Sequence, residues 1–234
     1  FSNLLELTVE AGRPDSITRE KLEDLKAAGV DRISINPQTM QQKTLDLIGR
    51  HHTIEDIYES YQLAREVGFE NINMDFIIGL NGETLEDVSD SFTKVRSFAP
   101  ESITIHSLAL KRAARLNTEN KREIMDNNLI LSMTEAARNT CKELGLSPYY
   151  LYRQKNIAGN LENIGFSKPG KECLYNILIM EEKQTIIACG AGTSSKIVFG
   201  DGRIERIENV KDPKLYIERL DEMIMRKESM HGID

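Results

Sequence analysis

Apolar and polar positions alternate along this chain with two periods, near two and near 3.6 residues, and the switching between them predicts its elements. Residues 4–9 alternate weakly and predict a strand that ends at Glu10, followed by the loop AGRPDS. From Ser16 or Thr18 to Ala28 the spacing is helical, with Leu22 and Leu25 on one face and Gly29 as terminator. Residues 31–36 predict a second strand, closed by Pro37 with Gln38 directly after it. Residues 41–48 predict a short helix ended by Gly49 and Arg50, and Thr53 with Asp56 opens a longer one running to Gly68. The stretch GFENINMDFIIGLNGET then predicts a strand over 71–78, a turn on Gly79 and Gly82, and a new helix capped by Thr84. A threonine there can accept a free N–H of the first turn through its hydroxyl oxygen. That helix ends before Pro100, and residues 102–108 are a fourth strand. Four strand–helix repeats with mostly apolar strands predict a parallel sheet covered by helices.

Past Arg115 the pattern changes. Residues 118–144 predict one long amphipathic helix. Short segments at 149–152, 173–180, 185–189 and 203–207, joined by Gly-rich connections, predict antiparallel strands, and a helix from Pro213 to about Lys227 closes the chain. The expected division is a β/α region, 1–117, and a smaller α+β region, 118–234.

Composition narrows the classes. With 234 residues the chain can bury a sizeable core. No apolar run approaches the roughly 20 residues a bilayer requires, so no membrane span is expected. The opening residues carry no basic segment of the secretory type. A net charge of −7 argues against nucleic acid as a partner, because no excess of cations is present to release counterions. Cys141, Cys173 and Cys189 lie far apart and form neither a disulfide framework nor a cluster-binding spacing. A reducing, cytoplasmic setting is the expectation. The chain opens without Met and enters a strand-like run almost at once, which reads as a piece of a longer protein.

Polar residues recur at one topological place. Glu10, Gln38, Asp75 and the pair His106/Ser107 fall at or just after the ends of successive predicted strands, and Arg50 follows the second strand after one short helix. In β/α folds the C-terminal strand ends are where ligands sit. A carboxylate such as Asp75 inside an apolar strand is costly unless something answers it. Each residue has a plain alternative: Glu10 as a solvated loop carboxylate, Gln38 as a turn residue, Arg50 as a cation at a helix C-terminus, His106 as a hydrogen-bonded core histidine. Their recurrence favours a shared site for a ligand with hydroxyls, met by Asp, and a carboxylate, met by Arg.

The segments GVDRISINPQTM, LIGRHHT, GFENINMDFIIGLNGETLED, YYLYRQKN, GFSKPGKECLYN and ACGAGTSSKI, in this order, resemble the radical S-adenosylmethionine enzymes of the oxygen-independent coproporphyrinogen III oxidase family, nearest its clostridial-type branch. The resemblance implies a partial (β/α) barrel, of which four of six units are present, followed by the α+β region. It implies a [4Fe–4S] cluster and S-adenosylmethionine as cofactors, and a porphyrinogen as substrate, with the electron donor unassigned. By position, Glu10, Gln38, Arg50, Asp75 and Leu108 correspond to S-adenosylmethionine-binding residues, with Arg50 at the methionine carboxylate and Asp75 at the ribose hydroxyls. Gly190, Gly192 and Ser194 correspond to a loop over the active site. For a tetra-anionic tetrapyrrole, Arg153, Lys155, Lys168 and Lys171 offer cations and Tyr150 and Tyr152 offer aromatic faces; solvated lysines and ordinary packing are the plain alternatives. Pro37 replaces the usual valine beside Gln38. The family's Cys-x-x-x-Cys-x-x-Cys run is absent from this sequence, as is its Gly-rich stretch after the second barrel strand. The chain is therefore expected to begin at the third unit and to be inactive alone in radical chemistry. Two other readings stay open: a haem-binding or haem-inserting relative without oxidase activity, and a non-radical β/α-barrel enzyme or binding module.

Overall fold

In a computed structural model, which describes residues 3–108, 126–152 and 162–228, local sequence signals set the elements much as the periodicity predicts. Helix α1, Arg19–Ala27, starts where Thr18 accepts the N–H of Lys21, and α3, Ile54–Val67, and α4, Leu85–Phe98, each start with a full capping box, Thr53/Asp56 and Thr84/Asp87. Between α1 and α3 lies the short α2, Gln42–Leu47. Each box answers two N–H groups that the first helical turn leaves without partners. Gly68 closes α3 at φ 98°, a left-handed conformation that glycine adopts without steric cost.

The strands differ in detail. Strand β1 is Thr8–Gly12, later than the alternation of residues 4–9 suggests. Strand β2, Arg32–Gln38, runs through Pro37 instead of stopping there. A register shift between Ile35 and Gln38 explains the tolerance: the ladder is interrupted where proline has no N–H to give. Strands β3, Ile72–Ile78, and β4, Ser102–Ser107, follow. After α5, Asn127–Glu143, come β5, Ser147–Tyr152, and β6, Asn163–Ser167, the latter unpredicted. All six join one sheet in the order β1-β2-β3-β4-β6-β5, the first four parallel and β6 antiparallel to both neighbours.

Strand alternation divides this sheet into two unlike faces. On one, Ile33, Ile35, Ile72, Met74, Phe76, Ile78, Ile103, Ile105, Ile164 and Phe166 are buried in a core with helix residues that include Leu22, Ile57, Val88, Phe92, Val95, Met133 and Ala137. The other face is polar. The described helices of this unit pack on the apolar side; on the polar side Ser34, Asn73 and Thr104 are themselves buried, while Glu10, Asp75 and His106 keep part of their side chains accessible.

By packing, the chain forms two units, Phe1–Cys173 and Leu174–Asp234. The change of pattern near residue 117 falls within 109–125, outside the described residues. In the second unit, residues 173–180 are not a strand: α6 occupies Leu174–Glu181. A short apolar run fits a buried strand or a helix equally well, and periodicity cannot separate them. The expected strand at 185–189 reduces to a single bridge, Ile186 to Lys196, beside the hairpin of β7, Ser194–Val198, and β8, Ile204–Glu208. The closing helix is split at Arg219 into α7, Pro213–Glu218, and α8, Leu220–Glu228. Among the described residues no helix is long and apolar enough to cross a membrane.

Candidate active site

Register fixes which side chains share the polar face. Glu10 pairs with Ser34, Ser34 with Asn73, Asp75 with Thr104, Thr104 with Gly165, and Gly165 with Tyr150. Four of the six strands, β2 to β5, repeat a polar residue two positions on: Ser34/Asn36, Asn73/Asp75, Thr104/His106, Tyr150/Tyr152. These side chains join into one transverse hydrogen-bonded belt. Asn36 Nδ2 donates to Glu10 Oε2 at 3.2 Å, and the Ser34 hydroxyl donates to Asn36 Oδ1 at 2.8 Å. Asn73 spends both amide hydrogens, one on Ser34 Oγ at 2.9 Å and one on Asp75 Oδ1 at 2.6 Å, while its Oδ1 accepts from Thr104 at 3.2 Å. His106 Nε2 lies 3.6 Å from Asp75 Oδ2, and Tyr152 OH lies 3.3 Å from His106 Nδ1. The hydrogen bonds run unbroken from Glu10 to Thr104, while His106 stands 3.6 Å from Asp75, just beyond hydrogen-bond distance, and faces Tyr152 on its other side.

The carboxylates of this belt remain within reach of a ligand. Glu10 is exposed and Asp75 keeps 19% of its side chain open. Asn73 holds one Asp75 oxygen, and each carboxylate oxygen has lone pairs to spare.

At the mouth end of β2, Gln38 adopts φ 72° and is 8% exposed. A side chain in this left-handed region costs on the order of 1–2 kcal/mol relative to ordinary backbone. Its amide makes no hydrogen bond among the described residues, so nothing visible repays the strain locally. Two buried residues hold this corner, and the sequence reading missed both. His52 is fully buried, its Nε2 3.3 Å from the Pro37 carbonyl, and burial lowers its pKa and keeps it neutral. Glu83, from the glycine turn after β3, accepts a 2.5 Å hydrogen bond from Thr39, and burial raises its pKa. Together they clamp the loops after β2 and β3. The adjacent pair His51-His52 and the sequence NGET were the available signals.

Arg50 is half-buried, and among the described residues its guanidinium has no ion pair or hydrogen bond. Leu108 continues from β4 with its N–H on the Ile78 carbonyl at 3.0 Å, its side chain against Gly79. Gly79 has φ 86°, which makes that turn possible.

Tyr150 and Tyr152 lie parallel, 6° apart in plane with centroids 6.2 Å apart. The Tyr150 ring covers Gly165 and its hydroxyl bonds Thr104; burial raises its pKa. The proposed cations are placed otherwise. Lys168 reaches Ala99 O and Glu101 at the opposite end of β4, and Lys171 follows in the same turn, so neither joins the belt. Arg153 and Lys155 lie outside the described residues. Gly190, Gly192 and Ser194 belong to the second unit, where Asn209 ties the glycine loop through Gly190 O at 2.8 Å and Ser194 bonds Glu208. Ser194 lines a cavity of about 420 Å³ there with Tyr175, Ile179 and Lys196.

Cys141 is buried in α5, with its thiol pushed up to about 12 by burial; Cys173 is buried and donates to Glu6; Cys189 is exposed in the second unit. Among the described residues no three Cys, His, Asp or Glu side chains converge as metal ligands. These cysteines do not fit an iron–sulfur cluster, which takes thiolates converging from a compact loop.

Residues 4–95 match the model of the Radical SAM superfamily. Over 94% of its length the chain is 51% identical to the oxygen-independent coproporphyrinogen-III oxidase-like protein HemZ of Bacillus subtilis, covering 44% of that protein. It is 31% identical to the heme chaperone HemW of the same organism, over 90% of this chain and 52% of the relative. Among solved structures, coproporphyrinogen III oxidase (HemN) from Escherichia coli matches with a TM-score of 0.72 at 20% identity, over 93% of this chain and 49% of that one, a likeness of fold. The chain spans about half the length of the curated relatives it matches.

Proposed function

Because the chain belongs to the radical SAM superfamily, we propose that it forms the cofactor- and substrate-facing part of a cytoplasmic enzyme of the oxygen-independent coproporphyrinogen III oxidase type. The reaction is oxidative decarboxylation of coproporphyrinogen III propionates: a hydrogen atom leaves the side chain, carbon dioxide is lost, one electron passes to a separate one-electron acceptor, and a vinyl group remains. When bound and reduced, S-adenosylmethionine supplies the radical that takes the hydrogen. The residues present fit that cofactor. Asp75 accepts the ribose hydroxyls, Glu10 and the strained Gln38 offer polar contacts beside it, and the unpaired Arg50 meets the methionine carboxylate. Leu108 adds backbone and apolar contact at the end of β4. The cluster that reduces the cofactor is assigned to ligands outside this sequence, so this chain alone is proposed to be silent in radical chemistry.

The observation that supports this assignment best is the belt, with an accessible Asp75 at its centre and the Tyr150/Tyr152 pair at its end. Neighbouring aromatic faces can pack against individual pyrrole rings of a porphyrinogen, whose methylene bridges leave it puckered and not flat. Isothermal titration of the chain with S-adenosylmethionine tests it. Asp75→Ala should lose binding at least tenfold while circular dichroism stays that of the parent; unchanged affinity would refute the site. A second reading, haem handling without oxidation, is favoured by the 31% identity to a heme chaperone. Stoichiometric haem binding by the full-length protein, with no loss of coproporphyrinogen, would select it.

A further inference from the structure

His106 is the titratable member of the belt with a neighbour at each ring nitrogen. We propose that His106 is a positioning residue: it holds the Asp75 carboxylate for a ribose diol and ties it to Tyr152 of the aromatic pair. The proposal rests on the assignment of Asp75 to the nucleoside made above.

Asp75 stands at the middle of β3 on a side chain with two rotatable torsions. Asn73 fixes Oδ1 from behind at 2.6 Å. The group facing Oδ2 is His106 Nε2, at 3.6 Å, from the neighbouring strand β4. The other ring nitrogen settles which way the imidazole serves. A phenol hydroxyl donates readily, and Tyr152 OH lies 3.3 Å from Nδ1. In the tautomer whose Nδ1 accepts, the ring proton is on Nε2 and faces an oxygen that can only accept, across 3.6 Å, a gap just beyond hydrogen-bond distance that a small side-chain rotation closes. Such a donor behind a ligating carboxylate fixes its plane, as outer partners of metal-binding groups do. A vicinal diol brings two parallel O–H donors, and both carboxylate oxygens can meet them only if that plane is held. His106 is 28% exposed on its side chain, so it borders the ligand space without filling it.

Two substitutions separate the ring's two nitrogens. A glutamine amide reaches roughly where Nε2 stands, and an asparagine amide where Nδ1 stands. In the full chain, His106→Gln should bind S-adenosylmethionine within about twofold of the parent. His106→Asn should bind it about tenfold more weakly, comparable to losing one hydrogen bond to a charged group. Adenosine and 2′-deoxyadenosine serve as probes of the diol: the loss in His106→Asn should appear for the first and vanish for the second. Equal binding by both variants and the parent, equal weakening in both, or a loss of the same size for both nucleosides would overturn the proposal. If Asp75→Ala leaves all affinities unchanged, the parent assignment fails instead, and the two failures are told apart.

Discussion

Gly165 is the residue whose substitution tests the geometry of the polar face most directly. A Cβ built there would lie 1.9 Å from Tyr150 Cε1 and 2.3 Å from Cδ1, with Tyr149 Cε1 at 3.0 Å on a second side. Ordinary contact begins near 3.4 Å, so Gly165→Ala must move the Tyr150 ring by roughly 1.5 Å. Gly165 does not sit in the left-handed region, so alanine meets no backbone penalty and the collision is the whole effect. The ring cannot yield freely, because its hydroxyl is bonded to Thr104 and Tyr149 packs against it edge-on, 4.8 Å between centroids. Overpacking of this kind costs about 1–3 kcal/mol. In a chain of this size that corresponds to a fall in Tm of roughly 2–12 °C. Thermal unfolding by circular dichroism measures it, with the near-ultraviolet tyrosine signal reporting ring displacement. A double-mutant cycle isolates the cause. With Tyr150→Ala in place, Gly165→Ala should cost nothing or stabilise slightly. If Gly165→Ala unfolds within 1 °C of the parent, or destabilises equally without the Tyr150 ring, the packing of β5 over β6 is wrong.

Two further perturbations probe the clamped corner beside the belt. Glu83→Gln keeps an amide oxygen to accept from Thr39 and removes a carboxylate that burial penalises. Burial raises the folded pKa above the ordinary 4.5, so the parent is favoured by this group below pH 4.5 and loses that advantage as pH rises through the folded value. The variant should therefore be the more stable above that range and its urea midpoint flatter with pH; a parent and variant with parallel pH profiles would contradict this. Gln38→Gly relieves a left-handed side-chain residue and should raise stability by about 1 kcal/mol, while S-adenosylmethionine binds more weakly by titration calorimetry. A variant that gains stability and keeps full affinity would show that the Gln38 strain serves no ligand.

The repeat of strand and helix was legible because caps and terminators stand where they act: Thr53 and Asp56, Thr84 and Asp87, Gly68. Strand β6 and the helix α6 were not. NIGFS carries one glycine that exists to admit the Tyr150 ring, a reason visible only once β5 lies beside it, and LYNILIME is apolar all round, which suits either element. Pro37 misled for a related reason, since a bulge that removes the need for its N–H leaves no local mark. The site was half legible. Gln38 is the last residue of β2, but Glu10 and Asp75 stand in mid-strand and not at strand ends, and reach the polar face through the alternation; Lys168 is at the far end because β6 runs antiparallel and delivers its last residue to the bottom of the sheet.

What joins these observations is the period of two. In a parallel sheet covered on both faces every position of a strand would be apolar, and the stretches RISINPQ, INMDFII and SITIHS are not. Each places isoleucine, methionine or phenylalanine on one side and serine, asparagine, aspartate, threonine or histidine on the other. The same alternation that builds the core therefore builds the belt, and a one-residue slip in any strand would bury its polar row and expose its apolar one. The register between strands is thus held by the core and read out by the site. Substitutions such as Ile35→Ala or Ile105→Ala, remote from any ligand, weaken the same alignment that keeps Asn73 against Ser34 and His106 beside Asp75. In this fold, stability and site geometry are two faces of one sheet.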